Sequence, residues 1–235
     1  MSAGSTVPSA PPAAGPPVRL DGDLDQPLSR WLWLVKWLLL IPHVIVLVFL
    51  FIAVLGVTLV AFFAILFTGR YPSALFGFTV GVLRWAWRVG YYGYSALGTD
   101  RYPPFALCDD PAYPARLQID EPARLSRGLV LVKWLLAFPH GLVLGALLGT
   151  TVYVDGGSAR TPGLISILVL IAAVGLLFTG RYLPGVHPLV VGLDRWVVRV
   201  AAYVLLLTDA YPPFRLDQGG REPSVAVPAD PAWPQ

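Results

Sequence analysis

Acidic residues are missing where the cations gather. Between Gln26 and Thr99 the sequence holds Arg30, Lys36, Arg70, Arg84 and Arg88 and no aspartate or glutamate, so local pairing cannot neutralise those charges. Charge is scarce throughout: Asp, Glu, Lys and Arg make up 13% of 235 residues, against roughly 25% in an average soluble domain. With 56% of the chain hydrophobic, the balance points away from water and toward a bilayer. A lone cysteine, Cys108, excludes an internal disulfide. No basic run suggests DNA or RNA. The net charge of +3 comes mostly from arginines at the ends of apolar runs, as at cytoplasmic membrane edges. Met1 to Val18 has neither a positive charge nor an apolar core, so it does not read as a signal peptide. Its Pro/Ala/Ser composition predicts a disordered tail over 1–16, and a second polar, proline-marked tail is expected over 217–235.

What is present is one unit written twice. Leu28-Ser29-Arg30 with Lys36 and Pro42-His43 returns as Leu125-Ser126-Arg127 with Lys133 and Pro139-His140. The offset is 97 (133 − 36), and it already holds at Pro17/Pro114. From Leu66-Phe67-Thr68-Gly69-Arg70-Tyr71 and Leu177-Phe178-Thr179-Gly180-Arg181-Tyr182 onward the offset is 111 (181 − 70). The second copy therefore carries 14 extra residues (111 − 97). Each copy closes on Thr99-Asp100-Arg101-Tyr102-Pro103-Pro104-Phe105 or Thr208-Asp209-Ala210-Tyr211-Pro212-Pro213-Phe214. The expected division is repeat one over 17–107 and repeat two over 108–216.

The fold class expected is an all-α integral membrane protein. Each repeat would be a transmembrane helical hairpin plus an arginine-bearing interfacial or third helix, with short cytoplasmic β segments. In repeat two the polar stretch around Asp155 to Pro162 must reach water, which separates two arms near 126–154 and 163–178. By internal homology repeat one should turn near Gly56, although its 38-residue apolar run from Trp31 to Thr68 also suits a single long kinked or tilted helix. Phe105 to Leu107 with Arg116 to Ile119, and Phe214 to Leu216 with Arg19-Leu20, would form the small ribbons. If the repeats face one compartment, each crosses an even number of times. Three spans per repeat would instead give the inverted pair of a small transporter or channel, with its site at the repeat interface.

The Phe67 to Pro72 motif, the two Tyr-Pro-Pro-Phe motifs and the Ser-Arg…Lys-Trp…Pro-His pattern together resemble the DUF4389 family, bacterial membrane proteins without an assigned function. The resemblance covers about residues 17–216 and implies membrane location; it supplies no catalytic residues.

Several constellations invite a function. Ser29, Lys36 and His43, like Ser126, Lys133 and His140, fall seven apart along one helix stripe. Lysine there either snorkels to the interface between tryptophan anchors or joins a basic pocket. Two such pockets for anionic lipid headgroups are expected: Lys36, Arg70, Arg84 and Arg88, then Lys133, Arg181, Arg195 and Arg199. The arginines at 84, 88, 195 and 199 share a stripe with Gly77, Gly81 and Gly192, which reads otherwise as close helix packing. Steps of about 10 Å between Ser, Lys and His are too long for a hydrogen-bonded relay, and Gly-x-Ser-x-Gly, Walker and Rossmann patterns are absent. No enzyme, cofactor or metal site is therefore expected. The function expected is a multi-pass plasma-membrane scaffold or accessory protein with cytoplasmic termini. Its partners would be membrane lipids, with protein partners or self-association as further candidates.

Overall fold

A computed structural model describes residues 16–154, 157–214 and 216–221. Most of the tail expected at 1–16, most of that at 217–235, and Arg215 lie outside the described residues. The elements in chain order are β1 (Val18–Gly22), α1 (Trp33–Thr68), α2 (Ser73–Tyr92), β2 (Ala115–Ile119), α3 (Arg127–Leu148), β3 (Gly149–Val154), β4 (Gly157–Pro162), α4 (Leu164–Thr179) and α5 (Val186–Val204). The described residues are mostly helical with two small antiparallel sheets, and α1 and α3 are long and apolar enough to cross a membrane.

Repeat one does not turn at Gly56. α1 runs unbroken for 36 residues, about 54 Å at 1.5 Å per residue. Its run offers no polar segment to stop it, and one glycine costs a helix only about 1 kcal/mol. Pro42 is absorbed as well. Its ring removes the donor for the Leu38 carbonyl, and one residue along, the Tyr102 hydroxyl donates to Leu39 O at 3.2 Å. One stripe of α1 is buried: Lys36, Leu40, His43, Leu47, Val54, Thr58, Ala61 and Ile65. The other faces are apolar and exposed, Phe49 at 68% and Leu55 at 67% among them.

Repeat two explains its own extra residues. The offset of 97 maps α3 up to Leu148 onto α1 up to Phe51, and the offset of 111 maps all of α4 onto Ala53–Thr68. What lies between is Gly149 to Pro162, which is the β3–β4 hairpin, paired from Gly149↔Pro162 to Val154↔Gly157. The first arm thus ends as helix at Leu148 and not at Val154, because Thr150, Thr151, Val152 and Val154 are β-branched. Closing the hairpin brings its two ends together, so α4 resumes where α3 stopped. A Cβ on Gly163 would lie 2.3 Å from Leu147 O; only glycine lets α4 start directly on the last turn of α3. Deleting residues 149–162 and joining Leu148 to Gly163 should therefore give a continuous helix like α1. Far-ultraviolet circular dichroism and thermal unfolding are expected to show a folded protein within about 1–2 kcal/mol of the parent.

A pseudo-two-fold axis relates the repeats. β1 pairs with β2 across the repeats, in place of the ribbons expected from Phe105–Leu107 and Phe214–Leu216, and the register is Val18↔Ile119, Leu20↔Leu117, Gly22↔Ala115. The offset of 97 carries Val18 to Ala115 and Gly22 to Ile119, so the ribbon maps onto itself about the Leu20↔Leu117 pair. Helix ends obey the same symmetry. Leu125 N donates to Gly69 O at 2.9 Å, and Gly69 and Gly180 sit against the side chains of Arg127 and Arg30 respectively. α1 is thus antiparallel to the interrupted α3–α4 helix, with the axis passing between them.

Candidate functional site

The repeated motifs, far apart in sequence, meet in space once per repeat. Lys36 sits on the buried stripe one turn into α1, and its Nζ donates to Thr99 O at 2.7 Å and lies 3.0 Å from Asp100 Oδ1. Lys133 repeats this with Thr208 O at 2.8 Å and Asp209 Oδ1 at 2.7 Å. Each aspartate also holds the entrance to its helix: Ser29 N donates to Asp100 and Ser126 N to Asp209, at 2.5 and 2.7 Å. The Ser126 hydroxyl further caps α3 by accepting from Leu129 N. Each ammonium faces a tyrosine ring, Tyr92 at 4.5 Å and Tyr203 at 5.2 Å. The Thr-Asp pair that closes each repeat is thus the counterion for the only two lysines.

Two turns on, each proline-histidine step enters an aromatic cage. His43 stacks on Phe105 with centroids 3.9 Å apart, meets Tyr102 at 4.9 Å, and accepts at Nδ1 from Trp85 Nε1 at 3.2 Å. His140 stacks on Phe214 at 4.2 Å and meets Tyr211 at 4.9 Å and Trp196 at 5.2 Å. Tyr-Pro-Pro-Phe therefore supplies two walls of each cage, with its prolines fixing the turn between them. Both histidines are fully buried. Their rings pack into these cages, and among the described residues serine, lysine and histidine share no side-chain hydrogen bond.

The arginine stripe has a different occupant from the one expected. Gly81 and Gly192 admit not a neighbouring helix but the backbone that returns after each closing motif: a Cβ on either would fall within about 3 Å of Leu107 or Asp217. The arginines beyond grip that backbone. Arg84 donates to Leu107 O, and Arg88 donates to Ala106 O and Cys108 O. Arg195 donates to Asp217 O and Gly219 O, and Arg199 pairs with Asp217 at 2.7 Å. The innermost contacts cross the axis reciprocally. Arg84 Nε reaches Leu117 O of repeat two at 3.1 Å, and Arg195 Nε reaches Leu20 O of repeat one at 3.0 Å.

Six of the eight expected headgroup ligands, Lys36, Lys133, Arg84, Arg88, Arg195 and Arg199, thus turn their donors inward, so the two pockets as drawn do not form. Arg70 and Arg181 are the ones that stay outside. Each follows a glycine in the left-handed conformation, Gly69 at φ 72° and Gly180 at φ 70°, that ends its helix. Thr68 and Thr179 bridge the turn, each accepting from the following arginine N at 3.2 Å. Among the described residues no cluster of three or more His, Cys, Asp or Glu could hold a metal ion.

Sequence reasoning passed over two buried groups. Asp194, which replaces Leu83 of repeat one, is buried on α5, and burial raises its carboxyl well above the ordinary range. His187, which replaces Phe76, lies with Nε2 2.9 Å from the Tyr91 hydroxyl, and burial pushes it down to about 4. Comparing the copies position by position is the signal that would have found them.

Against known proteins, a family model described as a domain of unknown function (DUF4389) matches residues 30–106 and 163–215. Those segments cover more than half of the chain, and the gap between them takes in α3 and the inserted hairpin. No curated protein and no solved structure matches.

Proposed function

The chain belongs to the DUF4389 family, whose description carries no activity, and we propose that it is a non-enzymatic membrane scaffold seated in one leaflet. In this reading α1, α3 and α4 lie lengthwise in the hydrocarbon, and the β1–β2 ribbon, both lysine–aspartate locks and the helix-end arginines share one aqueous surface. By the positive-inside rule that surface is cytoplasmic.

The observation that carries the reading is that both ends of an apolar 36-residue helix adjoin the same polar layer. At its start are Asp100 and Asp25, and at its end is the segment leaving β2. A continuous helix cannot double back, so ends that share a surface favour a helix lying in one leaflet over the multi-pass hairpins expected earlier. A leaflet offers about 15 Å of hydrocarbon, half the core thickness, and a helix with side chains is about 10 Å across. The exposed apolar surface of the three helices far exceeds the few hundred Å² that soluble monomers tolerate.

The inverted-repeat transporter needs its two-fold axis in the membrane plane. Here the axis passes through a ribbon carrying the exposed Arg19–Asp120 ion pair (2.6 Å). A polar depression of about 330 Å³, lined by Asp23, Asp25, Arg101, Arg116 and Arg221 among others, lies along the ribbon. Placing that group at mid-bilayer is prohibitively costly, which argues against transport.

The test is side-specific labelling with a membrane-impermeant maleimide in sealed vesicles of both orientations. Cys108 is exposed and serves as the native reporter; Arg30→Cys, Arg70→Cys and Ser158→Cys are made on a Cys108→Ser background. All four positions are expected to react from one side. Opposite sides for 30 and 70 would mean that α1 crosses, and a Ser158→Cys that reacts only from the far side would restore the spanning hairpin.

A further inference from the structure

Most charged side chains of the polar layer are spoken for: Arg19, Lys36, Arg84, Arg101, Lys133, Arg199 and Arg221 each pair with an aspartate. Four arginines at the ends of the apolar helices are not. Arg30, Arg70, Arg127 and Arg181 are exposed and make no side-chain hydrogen bond or ion pair among the described residues. The two-fold axis brings them together as pairs. The guanidinium of Arg30, at the start of α1, lies over Gly180 at the end of α4, where a Cβ would be 2.5 Å from Nη2; Arg181 is the next residue. Arg127, at the start of α3, lies over Gly69 with a Cβ position 3.4 Å from Nε, and Arg70 is next. The left-handed glycine leaves the space that lets a guanidinium from the other repeat settle on the backbone beside the second arginine.

We infer that these are two equivalent sites for the phosphodiester of an anionic phospholipid, one at each end of the paired long helices. The inference rests on the one-leaflet reading and names its ligand. Two guanidinium forks match phosphate oxygens geometrically as well as by charge. The position selects a lipid over a soluble anion, because each pair stands where apolar helix meets polar layer. Phe67 and Phe178, two residues before the glycines, are 72% and 77% exposed, and Trp31 beside Arg30 is 66% exposed, as suits a side chain at headgroup depth. A phosphate held by the arginines would lay its acyl chains along these rings.

The test uses the full chain in mild detergent with native mass spectrometry, offering phosphatidylglycerol or phosphatidylcholine. Two phosphatidylglycerol molecules are expected on the parent protein, one on Arg30→Gln/Arg181→Gln, and none on the variant that also carries Arg70→Gln and Arg127→Gln. Loss of each pair should weaken retention roughly thirty-fold, given the usual attraction between one basic side chain and an anionic surface. Unchanged retention in the fourfold variant, equal retention of phosphatidylcholine, or displacement of the lipid by millimolar inorganic phosphate would overturn the assignment. Insertion into pure phosphatidylcholine vesicles separates the two claims. If the parent protein fails to insert there, the one-leaflet reading fails, whereas insertion without phosphatidylglycerol selectivity defeats only the arginine sites.

Discussion

Lys36→Ala is expected to destabilise the folded protein by about 3–5 kcal/mol, the range for removing one partner of a buried ion pair. The lysine is 1% exposed and its ammonium satisfies the Thr99 carbonyl and Asp100 together. Truncation leaves Asp100, which also holds Ser29 N, as a largely enclosed carboxylate without its cation. A lysine that merely snorkelled would behave otherwise: its removal would cost what other surface changes cost, about 0.5 kcal/mol or less. The comparison variant is Arg70→Ala, whose side chain is exposed and unpaired. Unfolding in detergent, followed by circular dichroism, measures both. The cycle through Lys36→Met, Asp100→Asn and the double variant should return a coupling of about 1–3 kcal/mol, and a coupling near zero would remove the lock. Lys133 and Asp209 should behave alike, since the second copy reproduces the geometry to within a few tenths of an ångström.

This lock was half legible in the sequence. The absence of acid between Gln26 and Thr99 required a distant counterion, and Asp100 and Asp209 recur at fixed places, but a recurring Thr-Asp also reads as a turn. Nothing local distinguishes the two, because the partner lies 64 residues away (100 − 36). The helices, the duplication and the place of the extra residues were open to inspection, since apolar period and offset are properties of neighbouring positions. Where repeat one turns was not. Homology to a copy with an inserted hairpin suggested a turn near Gly56, whereas the insertion leaves its parent helix intact in direction. Strand pairing failed for a related reason. β1 is too short to announce a partner, and only the register, symmetric about Leu20↔Leu117, reveals that it pairs with its own counterpart. The arginine spacing reads as one stripe on a helix, but a guanidinium that holds returning backbone and one that holds a phosphate look the same in sequence.

The second large effect concerns pH, and it comes from two buried groups of opposite sign. The Tyr91 hydroxyl spends its one proton on Asp23 O at 2.7 Å, so His187 Nε2 must be the donor to Tyr91, which assigns the neutral ring its Nε2–H tautomer. Burial lowers this imidazole from 6.5 to about 4, although Asp23 pulls the other way. Between those values the unfolded chain binds a proton that the folded one does not, so stability rises with pH across the window, by about 3 kcal/mol in all. Asp194 has the reverse sign. Its carboxyl stays protonated in the folded state well above the ordinary 3.8, whereas the unfolded chain ionises there, so stability falls as pH rises until the folded carboxyl also ionises. Each slope is about 1.4 kcal/mol per pH unit. Above about pH 4 the two contributions oppose each other, and His43 and His140, whose imidazoles burial also lowers, add to the rising one. Each substitution that restores the repeat-one residue removes one of these contributions and leaves the other. Asp194→Leu should rise more steeply with pH than the parent above about pH 4 and, with an unpartnered buried carboxyl oxygen removed, exceed the parent at pH 7 by about 1–3 kcal/mol. His187→Phe should instead rise less than the parent through the same interval, by the roughly 3 kcal/mol that the imidazole contributes. Unfolding free energies of the three proteins at pH 4, 5, 6 and 7 decide the matter. Parallel curves would show that neither group is held as the structure holds it.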